Sequence, residues 1–150
     1  ISDTYDKTGT IQQYSDTAIM KQFSIEKLIN ILQSFVGKQN QIPPMYSAKK
    51  VDGKKLYELA RKGIEIKRKP SEIEIYKIEL LNYYPTPNIH ISCSAGTYIR
   101  SLIHDIGQKL DVGAYCTELQ RIKIGTYTVK DAIDPKQLNT DTITQYLFHL

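Results

Sequence analysis

The sequence predicts an α+β fold, a mixed and largely antiparallel sheet with flanking helices. Three observations carry this. Apolar residues alternate with period two over 73–80 and 89–93, they recur at helical spacing over 24–36 and 98–110, and no strand–helix–strand rhythm runs through the chain. The 150 residues suffice for one core, and 41% apolar with 24% charged content is ordinary for a globular protein. No apolar run reaches membrane length and no secretory signal opens the chain; a first residue of Ile1 reads as a processed or clipped piece. Cys93 and Cys116 make neither a disulfide framework nor a zinc quartet, which fits a reducing cytoplasm.

Each element has a local cause. Residues 1–13 hold the turn DKTG (6–9) and read as a loop or hairpin with Ile11 on one arm. Ser24 can cap a helix through Val36, with Leu28, Ile31, Leu32 and Phe35 on its buried face and Gly37 as its stop. The two prolines of QIPPMYSA (41–48) force extended backbone. Asp52-Gly53 is a turn, and KKLYELARKG (54–63) is a short helix ended by Gly63. Beyond Pro70, Ile73 and Ile75 alternate with acids, then Ile78 and Leu80 resume one step out of phase. A strand with a bulge near Tyr76–Lys77 accounts for the slip. YYPTP (83–87) is a turn, and Ile89, Ile91 and Cys93 mark a second strand. Ile99, Leu102, Ile103, Ile106 and Leu110 stripe a helix from about Tyr98 to Leu110. After a turn at 111–113, TELQRIKIGTYTV (117–129) reads as two strands about Gly125, and Asp131 begins a helical tail.

The net charge of +4 is unevenly spread. Residues 49–69 carry nine Lys or Arg against three acids, a net +6, leaving −2 for the rest of the chain. A basic lobe suits a polyanion, although charge alone fits a solvated lysine-rich surface equally well. Tyr46 beside the lobe and Tyr57 within it, and Tyr98 near Arg100, add ring faces of the kind that stack on unpaired bases.

The common catalytic patterns find little support. His90, His104 and His149 lack metal-ligand spacing, and no glycine loop for phosphate appears. Cys93 sits on the apolar face of a strand and reads as inert core, and Cys116 has no base near it in sequence. His104 and Asp105 are adjacent helix positions that do not face each other, so surface solvation is expected of them. Asp3 and Asp6 look like the start of a calcium loop, but the later oxygen ligands and the closing Glu are missing. Arg100 lies beside the apolar stripe of its helix, and a guanidinium near a core needs a partner.

Four segments, SDTYDKTG, QIPPMYSAKKVDGKKLYELARKG, CSAGTYIRSLIHDIGQKL and GAYCTELQRIKIGTY, resemble in this order the bacterial tRNA pseudouridine synthases of the TruB family, over nearly the whole chain. The resemblance implies the pseudouridine synthase fold. It also implies a tRNA-modifying isomerase that converts the T-loop uridine (position 55) to pseudouridine, with neither cofactor nor metal. Tyr98, Arg100 and Leu119 would line the active site, Arg100 pairing with the nucleophilic carboxylate. Residues from about 44 to 70 would be an RNA-gripping insertion. Its contacts would come from Tyr46, Lys49, Lys50, Lys54, Lys55, Tyr57, Arg61, Lys62 and Arg68, with Arg121 adding one outside it. Where the family has a basic pair after the leucine, this chain has Gln120-Arg121. The family's nucleophile belongs to a Gly-Thr-Leu-Asp-Pro motif upstream of SDTYDKTG; the only Leu-Asp here is Leu110-Asp111, followed by Val112. Residues 1–150 are therefore expected to be a partial catalytic domain, incomplete at the N-terminus, without the C-terminal RNA-binding module and inactive alone. The expected partner is the T arm of tRNA, with no membrane, for a monomer in the cytoplasm. The alternative is a non-catalytic RNA-binding module.

Overall fold

The computed structural model describes residues 2–10, 24–84, 86–138 and 143. Ile11, and most of the chain beyond Leu138, lie outside the described residues. The chain forms two compact units, Ile1–Glu118 and Leu119–Leu150.

In the first unit α1 (Ile25–Gln33) starts at Ser24, whose hydroxyl accepts from the Lys27 amide. The helix ends three residues before the expected Val36. Ser34 donates its hydroxyl back to the Ile31 carbonyl, and the chain turns through 34–36 instead of continuing. Gly37, at φ 111°, then opens β1 (Gly37–Gln41), a strand that hydrophobic periodicity does not announce because its residues are GKQNQ. Its partner supplies the apolar side: β1 pairs antiparallel with β4 (Ser71–Asn82), which pairs antiparallel with β5 (Asn88–Cys93).

The expected bulge is present. Ile75 pairs with Cys93 and Lys77 with Ser92, leaving Tyr76 unpaired and half-exposed. This extra residue keeps Ile73, Ile75 and Ile78 on one face, where strict alternation would turn Ile78 away. α3 (Ile99–Lys109) and α1 cover that face. Leu28, Leu32, Ile73, Ile75, Ile78, Leu102, Ile106 and Leu110 form a single buried cluster, each contributing about 1.5–3 kcal/mol of transfer free energy. The Gln33 amide adds a polar tie to the Ile78 carbonyl at 3.0 Å.

The basic segment is folded. β2 (Lys50–Val51) and β3 (Lys54–Lys55) make a two-residue hairpin, with Asp52 and Gly53 both at positive φ (49° and 79°). α2 (Leu56–Ala60) follows, shorter than expected because Lys54 and Lys55 belong to the hairpin. Leu56 is fully buried and anchors the lobe, and the Leu56 and Tyr57 amides donate to the Lys49 and Ser47 carbonyls.

In the second unit β6 (Lys123–Ile124) and β7 (Tyr127–Thr128) form the expected hairpin about Gly125, at φ 56°. The helical tail does not appear where it is described. Two single 3-10 turns stand at Val129–Asp131 and Pro135–Gln137, because Pro135 holds Asp134 in extended backbone. No helix among the described residues is long and apolar enough to cross a membrane.

Gly107 marks a tight approach of backbone to backbone. The chain after α3 folds back, the Gly113 amide donates to the Gly107 carbonyl, and a Cβ at 107 would lie 2.2 Å from the Ala114 nitrogen. Gly107→Ala is expected to destabilise the protein by about 2 kcal/mol or more, read as a lower urea midpoint with unchanged slope.

Candidate functional site

Arg100 lies in the first turn of α3, and three segments converge on it. One terminal nitrogen donates to the Thr4 carbonyl and to Asp6 Oδ2, both at 2.9 Å; the other donates to the Tyr46 carbonyl at 2.8 Å. The N-terminal loop, the two-proline segment and the helix are thus joined through one side chain. Arg100 and Asp6 are about three-quarters buried, so the pair is largely shielded from water. Arginine carries five N–H donors. Three are engaged among the described residues, leaving two on the same guanidinium.

Asp6 is held as firmly as its partner. Its Oδ1 accepts from the Thr4 hydroxyl at 2.8 Å, the Thr8 amide at 2.9 Å and the Thr8 hydroxyl, which makes the DKTG turn an Asx turn. Burial alone would raise the Asp6 carboxyl. The Thr8 and Thr4 hydrogen bonds and the Arg100 charge outweigh it and hold the group below its ordinary value. Asp6 also pairs with Cys116 in a short parallel bridge, the Lys7 amide donating to the Cys116 carbonyl and the Cys116 amide to that of Tyr5. Cys116 is buried, and burial, reinforced by the nearby Asp6 charge, pushes its thiol up, which suits an inert packing residue.

Gln41 places the helix that carries Arg100. It is buried at the end of β1, its amide nitrogen donates to the Tyr98 carbonyl at 3.0 Å, and its oxygen accepts from the Tyr98 amide at 2.8 Å. Tyr98 is the N-cap residue of α3 and half-buried, so the β1 edge fixes where the helix begins.

His104 differs from its expectation as a solvated surface residue. Its ring stacks on Tyr5 with centroids 4.1 Å apart and planes 17° apart, and Tyr5 sits at φ 62° to present that face. Burial lowers the His104 pKa, favouring the neutral imidazole, and Asp105 only partly offsets it. Asp105 itself is exposed.

The residues expected to meet RNA divide into two kinds. Arg68 is mostly buried, donating to the Pro43 carbonyl at 3.2 Å and to Glu65 at 3.1 Å; it braces the two-proline segment. Tyr46 gives its carbonyl to Arg100, and Lys49 donates to the Ser71 hydroxyl. Lys50, Lys54, Arg61 and Lys62 are exposed, and Lys55 and Arg61 approach the Tyr57 ring to 5.5 and 5.2 Å. Among the described residues, Arg68 alone of the nine cations in 49–69 stands within ion-pair distance of an acid. Leu119 and Arg121 are exposed in the second unit. No cluster of three or more potential metal-ligating side chains occurs among the described residues.

Of this arrangement Arg100, Tyr98, Tyr46 and Arg68 are among the residues expected at a site, and Asp6 stands in the expected DKTG turn; its pairing with Arg100, the contacts of Thr4 and Gln41 and the Tyr5–His104 stack are not evident from sequence. The D-x-x-G turn was the available signal for Asp6; a lone buried Gln in a polar strand gives none.

The site thus sets a guanidinium at a helix start on an antiparallel α+β scaffold, beside a basic lobe in which, Arg68 apart, no cation stands within ion-pair distance of an acid among the described residues. Residues 1–99 match the profile of the TruB family pseudouridylate synthase N-terminal domain, and residues 100–147 that of the tRNA pseudouridylate synthase B C-terminal domain. The chain belongs to the TruB family of pseudouridylate synthases. It is 43% identical to tRNA pseudouridine synthase B of Clostridium tetani, over 98% of this chain and 50% of that protein. It is 46% identical to the enzyme of that name from Syntrophomonas wolfei, over 88% and 44%. A chain in a crystal structure of a Cbf5–Nop10–Gar1 complex superposes with a TM-score of 0.60 at 30% identity, covering 77% of this chain and 31% of that one. The chain spans about half the length of the curated relatives it matches.

Asp6→Asn is expected to lower stability at neutral pH by about 1–2 kcal/mol, the pair being shielded but not fully buried. Because the folded-state pKa of Asp6 is depressed, its contribution is present above about pH 4 and lost as pH falls through the folded value. Urea unfolding of the wild type and the variant should therefore converge in acid and diverge toward neutrality; a difference constant with pH would contradict the pairing.

Proposed function

We propose that this chain is the RNA-gripping and arginine-bearing part of an enzyme that isomerises the T-loop uridine of tRNA to pseudouridine. Family membership supports the reaction class, and one geometric observation carries the assignment of Arg100: a shielded guanidinium with two donors unspent among the described residues. A second carboxylate placed there would be kept ionised and oriented by the planar fork, which a lysine ammonium cannot do. Asp6 holds the guanidinium in place from behind and leaves those donors free. Tyr98, the N-cap residue of α3, contributes to the proposed pocket wall. Pseudouridine formation detaches the base, turns it and rejoins it through C5, which asks for a water-poor pocket and a carboxylate, with no cofactor or metal.

The lobe from about 44 to 70 grips the RNA. Its exposed lysines and Arg61 neutralise phosphates, and Tyr57 and Tyr46 offer ring faces to unpaired bases. Recognition rests on the folded shape of the T arm and on a uridine drawn out of its stack. The protein acts as a monomer in the cytoplasm.

Two outcomes are expected of the 150-residue chain. It should bind a T-arm stem-loop with an affinity that falls tenfold or more between about 50 and 200 mM salt, and Lys55→Ala or Arg61→Ala should each weaken binding by no more than about 1 kcal/mol. It should release no tritium from C5-labelled tRNA, because the resemblance places the nucleophile in a Gly-Thr-Leu-Asp-Pro motif and this sequence contains none. Salt-insensitive binding would remove the grip; turnover would overturn the placement of the site.

A further inference from the structure

We infer that the cleft between the N-terminal loop, the end of β1 and one flank of α3 is a pocket for a single unpaired nucleobase. It encloses about 330 Å³ and is lined by Tyr5, Asn40, Ile42, Arg68, Ser101, His104 and Asp105. That volume is within the range of small-ligand pockets. Ser101, His104 and Asp105 share a flank of α3 at i, i+3 and i+4. Arg100 does not line the cleft, so this is a second site beside the one that holds the reacting uridine. The inference rests on the RNA-binding reading above and adds a subsite to it.

Three features select the ligand. First, the lining mixes donors and acceptors: an arginine N–H, a carboxamide, two hydroxyls, an imidazole and a carboxyl. Second, the site carries no net positive charge, because Arg68 is paired with Glu65 at 3.1 Å and Asp105 adds a carboxyl on the same wall. A phosphate would gain little there and would meet a carboxylate. A neutral planar group with donors and acceptors along one edge uses every kind of partner present, and a nucleobase is such a group. Third, Tyr5 and His104, which both line the cleft, are stacked with centroids 4.1 Å apart, and burial biases His104 to its neutral form, so this wall carries uncharged planar groups that suit a flat neutral ligand.

The test compares T-arm stem-loops carrying one abasic site at each unpaired loop position, bound to the wild-type chain, His104→Ala and Asp105→Asn at fixed salt. One abasic position should weaken wild-type binding about tenfold. The variants should bind the intact RNA correspondingly weakly and be insensitive to that one abasic change. Equal losses in wild type and variants at every position would overturn the pocket. Asp105 is exposed, so Asp105→Asn decides the matter if His104→Ala fails to fold. A second arm titrates uridine, cytidine, adenosine, guanosine and inorganic phosphate while following the His104 imidazole resonances. Saturable shifts with a nucleoside and none with phosphate support the pocket even if stem-loop binding fails, in which case only the RNA-gripping reading falls; no shift with any nucleoside, together with no abasic coupling, overturns the pocket.

Discussion

The structure of the first unit depends on the Arg100 guanidinium being satisfied from two directions. Its contacts reach residues 4, 6 and 46, so a single side chain in α3 closes loops of more than fifty and more than ninety residues. Partly buried charge is costly unless it is paired and hydrogen-bonded. Here the opposing charge comes from Asp6, while the carbonyls of Thr4 and Tyr46 supply neutral acceptors. The Asp6 carboxylate is in turn satisfied within its own Asx turn. Neither ion relies on the other alone, which is why the pair tolerates its shielding.

That arrangement exists only because the hydrophobic core fixes α3. The bulge at Tyr76 keeps three isoleucines of β4 on one face, and Leu102, Ile106 and Leu110 seat the helix upon them. Rotation about the helix axis is thereby set, which turns Arg100 toward the N-terminal loop. Translation along the axis is set by Gln41, whose amide clasps both backbone groups of Tyr98. A core of ordinary composition and one buried carboxamide thus locate a charged group to within hydrogen-bond tolerance.

This hierarchy explains what the sequence disclosed. The bulge, the Ser24 cap, the Asp52-Gly53 hairpin and the stripe of α3 were legible because each has a local cause: a phase slip, a hydroxyl, a left-handed turn, a period. The strand Gly37–Gln41 was not, because it is held by pairing with β4 and its own side chains are polar. The helix expected to reach Val36 stopped early for a reason equally local but ambiguous in sequence, a serine able either to continue the helix or to fold back on it. Arg100 stood out through its place beside the apolar stripe. Its partner Asp6 did not, since a pairing across 94 residues leaves no periodic trace. His104 was read as solvated because adjacency to Asp105 was the only visible relation; its true neighbour, Tyr5, is distant in sequence and presented by a positive φ.

The cations of this chain accordingly fall into two populations that obey different physics. Arg68 and Arg100 are shielded, grip carbonyls and carboxylates with planar forks, and are weakly screened by salt because little water surrounds them. Lys50, Lys54 and Lys62, with Arg61, remain in solvent, and in the proposed complex they would displace counterions condensed on the RNA phosphates. The second population could not be presented without the first. Arg68 braces Pro43 and Arg100 braces Tyr46, so both ends of the segment leading into the lobe are fixed by buried arginines. The exposed charge of the lobe is carried on a base held by shielded arginines.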